Sequence, residues 1–159
     1  MTHKNLSGPE RVQAALRQAG LQVEVVELPD STRTASQAAS AVGCQVGQIA
    51  KSLIFKGEES GNPWLVIASG SNRVDESRVS ELVGEELALA SPDFVREQTG
   101  YAIGGVPPLG HDHPVGTLID EDLLGHERIW AAAGSPFAVF AVDPDALVHA
   151  IDGRLVRVK

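Results

Sequence analysis

The chain has 159 residues, 43% hydrophobic and 21% charged, with 16 glycines and a formal charge of −8. That length suits one compact core, and that hydrophobicity excludes an intrinsically disordered chain; the acidic balance excludes broad gripping of a nucleic-acid backbone, which needs clustered Lys and Arg to displace counterions. No apolar run approaches the roughly 20 residues that span a bilayer, and the start Met1-Thr2-His3-Lys4-Asn5 lacks a signal peptide's apolar segment, so the expected setting is the cytoplasm.

A first helix is predicted over residues 9–19: Ser7 can cap it, Pro9 suits an early helical position, and Val12, Ala15, Leu16 and Ala19 share one face. Residues 21–28 largely alternate apolar and polar side chains before Pro29 and predict a strand. The alanine-rich stretch 34–43 has a Thr start and a Gly stop, which reads as a short, closely packing helix. Residues 49–55 and 64–68 are apolar β-type runs around a polar, turn-rich loop and predict two adjacent central strands.

Asp75 caps a predicted helix through Val83, and Ser91-Pro92 opens another through Gln98, with Gly100 beyond it and a short strand at 87–90 between the two. Strands are predicted at 115–119, 127–131 and 137–142, followed by a helix starting at Asp143-Pro144 and a last strand at 155–158. Strict βαβ alternation, internal repeats and long linkers are absent. The expected fold is therefore α+β, one compact domain over residues 1–159 with a mixed, partly barrel-like sheet surrounded by helices.

Two places stand out chemically. Lys51 lies inside an apolar strand whose period would put it on one face with Leu53 and Phe55; it either snorkels at a strand end or places a cation in a cleft for an anionic or carbonyl group. The segment Gly104-Gly105-Val106-Pro107-Pro108-Leu109-Gly110 combines permissive and fixed backbone, as either an ordinary connection or a ligand-bracketing loop requires.

Other candidates are weaker. His111-Asp112-His113 falls short of a zinc ligand set, because His3, His126 and His149 show no convergent spacing, and no metal or other cofactor is expected. The single cysteine, Cys44, lacks a nucleophile signature and reads as a bystander thiol. Gly134-Ser135-Pro136 reads as a turn, with no base to activate its serine. Phosphate-loop, dinucleotide and nucleophile-elbow motifs are missing.

In order along the chain, Thr34-Ala35, Gly43, Gln48-Ile49-Ala50-Lys51-Ser52-Leu53-Ile54-Phe55, Thr99-Gly100-Tyr101, Gly104-Gly105-Val106-Pro107-Pro108-Leu109-Gly110 and Ile129-Trp130-Ala131-Ala132-Ala133-Gly134 resemble the signatures of the YbaK / prolyl-tRNA-editing deacylase family. The resemblance spans nearly the whole chain. It implies hydrolysis of the ester joining a wrong amino acid to tRNA, often alanine or cysteine on proline tRNA, the second sieve of double-sieve editing.

By the same resemblance Lys51 is the family's functional lysine, acting by position and charge on the terminal nucleotide and ester, and the Gly104–Pro108 stretch is the loop that brackets the aminoacyl carbonyl. The implied substrate-binding set is Leu28, Thr34, Gly104, Gly105, Val106, Pro107, Pro108, Gly110, His111, Ala132 and Gly134. The sequence departs from cysteine-removing members, which carry aromatic residues where Leu28 and Thr34 align and a serine where Ala132 aligns.

Water would be activated with help from the substrate's ribose hydroxyl. The implied partners are the acceptor end of a mischarged tRNA and a synthetase or elongation factor that assists a weak tRNA grip. Two other readings are a non-catalytic module that holds an aminoacyl end or nucleotide in the same pocket, and a hydrolase of small aminoacyl or thioester metabolites.

Overall fold

The protein is described from a computed structural model covering residues 6–159. Capping chemistry sets most helix boundaries. Helix α1 (Gly8–Gln18) opens on a reciprocal box in which Ser7 Oγ accepts from Glu10 N–H and Glu10 Oε1 accepts from Ser7 N–H. Helix α2 (Ala35–Val42) repeats it with Thr34 and Gln37. Asp75, Ser91 and Asp143 cap α3 (Glu76–Val83), α4 (Pro92–Thr99) and α5 (Pro144–Ala150).

The strands are β1 (Val26–Glu27), β2 (Ile49–Gly57), β3 (Pro63–Ser69), β4 (Leu87–Leu89), β5 (Gly116–Asp120), β6 (Ile129–Ala132), β7 (Ala138–Val142) and β8 (Arg154–Val156). They form one mixed sheet in the order β1-β7-β6-β2-β3-β5-β8, with β4 added to β2. The hairpin β2–β3 is antiparallel at its centre, while β6 joins β2 and β5 joins β3 in parallel.

Both sheet faces are covered. Ala50, Ile54, Leu65 and Ile67 pack with Val12 and Leu16 of α1 and with Phe140, whereas Phe55, Val66 and Ala68 pack on the other face with Val79 of α3. This is the one-face, other-face alternation of adjacent strands. Ala38 and Ala39 let α2 approach Ile49 closely.

Three expectations need correction. The sheet path ends on β1 and β8 and stays open, so the barrel-like element of the predicted fold is absent. The strand predicted over 21–28 shrinks to Val26–Glu27, paired with β7. Its first half is held by a helix side chain: the Gln13 amide donates to Val23 O at 2.9 Å and accepts from Val25 N–H at 2.8 Å. That amide satisfies the backbone groups a neighbouring strand would otherwise claim. The last strand also stops at Val156, although Val158 is still buried.

Candidate functional site

The site originates in the way β2 shares one edge. Its start pairs with β6 at Ile49 and Ala50, and its end pairs with β4 at Phe55, Lys56 and Gly57. Between them that edge has no strand. On the other edge Ile49 O accepts from Gly70 N–H and Gly57 N–H donates to Asn62 O, so antiparallel alternation turns the N–H and C=O of Ser52 toward the open edge. There a cleft of about 240 Å³ forms, walled by β2, the end of β6, the start of α2 and the first half of the 104–110 loop.

The expected catalytic residue Lys51 and, of those expected to bind substrate, Thr34, Gly104, Val106 and Ala132 come together on this cleft. The Thr34 hydroxyl is already engaged as the α2 cap. Lys51 is half-buried and donates from Nζ to Asn72 O at 2.8 Å. Burial pushes its ammonium below the ordinary lysine range, and the charge of Asp120 acts in the opposite sense more weakly.

Gly104 has φ +93, and a Cβ there would meet Arg33 Cγ at 2.8 Å, so only glycine lets the arginine stem lie over the loop. Gly105 is buried, with the Ser135 backbone 2.8 Å from where its Cβ would be, and its carbonyl accepts from Gly134 N–H at 2.9 Å. Gly105 and Gly134 thus brace the cleft loop from behind.

The remaining members lie off the cleft wall. Pro107 and Pro108 are buried in the core-facing half of the loop. Gly110 O accepts from the Tyr101 hydroxyl at 3.1 Å. His111 places Nε2 2.7 Å from Pro107 O, and because a carbonyl only accepts, that nitrogen carries the hydrogen. Burial pushes the His111 imidazole below its ordinary range, outweighing the Pro107 carbonyl. Leu28 is half-buried and donates its N–H to Phe137 O at 2.7 Å.

The Ser135 hydroxyl accepts from Phe137 N–H at 3.2 Å, as a turn serine does. The half-buried Cys44 thiol bonds to Gln45 O at 3.3 Å. Among the described residues no group of three His, Cys, Asp or Glu side chains could hold a metal ion; His3 lies outside them. Among the described residues, likewise, no helix is long and apolar enough to cross a membrane.

The model of the aminoacyl-tRNA editing domain matches residues 29–150, which include every wall of the cleft. The chain belongs to the aminoacyl-tRNA editing domain family. This editing domain is 34% identical to YwhH of Bacillus subtilis (strain 168) over 78% of each chain. It is 22% identical to EbsC of Enterococcus faecalis, a candidate Cys-tRNA(Pro)/Cys-tRNA(Cys) deacylase, over 79% of this chain and 76% of that one. Among solved structures it matches a candidate trans-editing enzyme for prolyl-tRNA synthetase at 49% identity and TM-score 0.89, covering 96% of both chains.

The editing domain's cleft also contains residues that sequence reasoning missed. Arg33 lines it, is exposed, and takes part in neither ion pair formed among the described residues. No local pattern marks Arg33, since only the fold brings it over Gly104. Ser52 lines the cleft with its Oγ buried and without a hydrogen-bond partner among the described residues. No Asp, Glu or His is among the cleft-lining residues. The cleft can thus supply positive charge, backbone donors and a size limit set by Ala35, Ala38, Ala131 and Ala132, without a side-chain base.

Proposed function

We propose that this protein is a freestanding trans-editing deacylase that hydrolyses the ester between a small, wrongly attached amino acid and the 3′ end of tRNA, with alanine or cysteine on proline tRNA as the substrates to test first. The observation that carries this reading is the alanine- and glycine-walled cleft with Lys51 on its wall, in a chain of the editing family. In this reading the alanine walls favour a methyl or mercaptomethyl side chain over larger ones, as a second sieve must.

In the reaction, water adds to the ester carbonyl carbon and the carbon–oxygen bond to the ribose breaks. The ribose oxygen takes a proton and the free amino acid leaves. The proton leaving the water passes through the neighbouring ribose hydroxyl, consistent with a cleft that lacks a carboxylate or imidazole. The Lys51 ammonium fixes the acceptor end by charge, Arg33 takes the terminal phosphate, and the loop at Gly104 brackets the carbonyl.

With a net charge of −8, tRNA affinity rests on this local grip, so a prolyl-tRNA synthetase that presents the acceptor end is the natural partner. The reaction belongs in the cytoplasm, where tRNA is charged. The test is a panel of mischarged tRNAs offered to wild type and Lys51→Met. Wild type is expected to release alanine or cysteine, with the variant slowed about a hundredfold or more. If wild type releases no amino acid from any tRNA, the deacylase reading fails; if it still binds aminoacyl ends, the lack of a side-chain base marks a binding module instead.

A further inference from the structure

Lys51 lies on the cleft wall, yet its ammonium is anchored on a residue outside the cleft, through Asn72 O at 2.8 Å. That carbonyl belongs to a tight turn after β3, closed by Asn72 N–H donating to Ser69 O at 2.9 Å. The Asn72 amide nitrogen donates to Asp120 Oδ2 at 2.9 Å and to Asp122 Oδ2 at 2.8 Å, using both of its hydrogens. Asp120, only 1% exposed, also accepts from Ser69 N–H and Asp122 N–H, both at 2.9 Å. The outer end is Asp122, paired with Lys159.

A buried carboxylate carries a desolvation cost that its hydrogen bonds and an opposite charge must offset. Both of its oxygens are engaged, Oδ1 by Asp122 N–H at the cap of the 3-10 turn Glu121–Gly125 and Oδ2 by Ser69 N–H and the Asn72 amide, so the carboxylate is held in one orientation beside the turn that anchors Lys51. The charge that acts on Lys51 is that of Asp120, against the burial that favours a neutral amine. The other nearby carboxylate, Asp122, is engaged with Lys159, and Arg33 stands over Gly104.

We propose that Asn72 and Asp120 are positioning residues for Lys51: Asp120 fixes the turn and supplies the counter-charge, and Asn72 presents the carbonyl that aims the ammonium along the cleft wall. The activity consequence rests on the deacylase reading. The position and protonation of the ammonium can be read without any substrate.

The experiment follows Lys51 by NMR titration of lysine-labelled full-length protein, the signal being assigned by its loss in Lys51→Met. In Asp120→Asn, Lys51 is expected to release its proton at lower pH, with a several-fold higher acid dissociation constant, and the alkaline limb of kcat/KM on a mischarged tRNA to move the same way. Asn72→Ala keeps the carboxylate but frees the turn; its kcat is expected to fall on the order of tenfold to a hundredfold, with a displaced Lys51 signal. A folded Asp120→Asn protein whose Lys51 titrates as in wild type overturns the proposal. Should that variant not fold, an unmoved Lys51 signal in Asn72→Ala overturns it instead. Shifted Lys51 signals in a wild type without turnover sink the deacylase reading and leave the positioning device standing.

Discussion

Two adjacent glycines make a sharp test of how the cleft loop is held, because they are required for different reasons. At Gly105 an added Cβ would lie 2.8 Å from Ser135 N and Cα and 3.0 Å from Ser135 C, all backbone atoms. Two main-chain segments must part, costing about 1–3 kcal/mol as overpacking does, and the Gly134 N–H bond to Gly105 O at 2.9 Å breaks for about 1 kcal/mol more. Gly105→Ala is therefore expected to lose about 2–4 kcal/mol, a fall in Tm of roughly 4–16 °C for a chain of this size.

At Gly104 the obstacle is φ +93, worth about 1–2 kcal/mol of left-handed strain for alanine, because the contacting Arg33 Cγ belongs to a flexible side chain that can move aside. Urea unfolding of both variants, with amide hydrogen exchange at Gly134, reads the difference. Gly105→Ala should be the less stable and should lose protection at Gly134, and adding Ser135→Gly should not restore it, since the contact is with backbone. A Gly105→Ala protein at least as stable as Gly104→Ala, with Gly134 still protected, would refute the bracing described for this loop.

Three further outcomes are expected. Arg33→Ala should lower kcat/KM by about tenfold to a hundredfold on an aminoacyl-adenosine carrying a 5′-phosphate and leave the unphosphorylated fragment unaffected; equal losses on both would remove Arg33 from phosphate binding. Ala132→Ser, which introduces the serine expected in cysteine-removing members from the resemblance, should raise the cysteine-to-alanine ratio of deacylation in a competition assay. Because His111 has a lowered folded pKa, the unfolded chain binds its proton first; stability should fall as pH drops from about 6.5 through the folded value, and His111→Gln should flatten that part of a Tm-against-pH curve.

What could be read in advance divides along physical lines. The caps Ser7, Asp75 and Ser91 and the hairpin β2–β3 were legible because their signals are local: a side-chain oxygen beside free N–H groups, or a run of apolar β-formers. The strand over 21–28 failed because Gln13, far enough away to carry no periodic signal, takes over the backbone of Val23 and Val25.

The cleft was legible at Lys51, a charge in an apolar strand, and at the glycine-proline loop, although that loop divides into a lining half at Gly104 and Val106 and a structural half at Pro107 and Pro108. Arg33, Asn72 and Asp120 were not, since Arg33 is an ordinary polar residue until the fold lays it over Gly104, and Asn72 and Asp120 meet only when the sheet brings the ends of β3 and β5 side by side. Asp120, the first of the three acids Asp120-Glu121-Asp122 and the last residue of an apolar strand, was the one signal available for that pair.

The uneven sharing of β2 has an engineering consequence. The cleft's depth is governed by where two short strands stop: β6 ends at Ala132, and β4 runs only from Leu87 to Leu89. Continuing the parallel register of β6 past Ala132 would satisfy the N–H and C=O of Ser52 and close the floor, whereas the register of β4 sets Pro92, which has no N–H, opposite Ser52 and stops pairing from that side. The size of the cleft can thus be adjusted by strand length as well as by side-chain size, and loop deletions around residues 132–136 become a tool for resizing it.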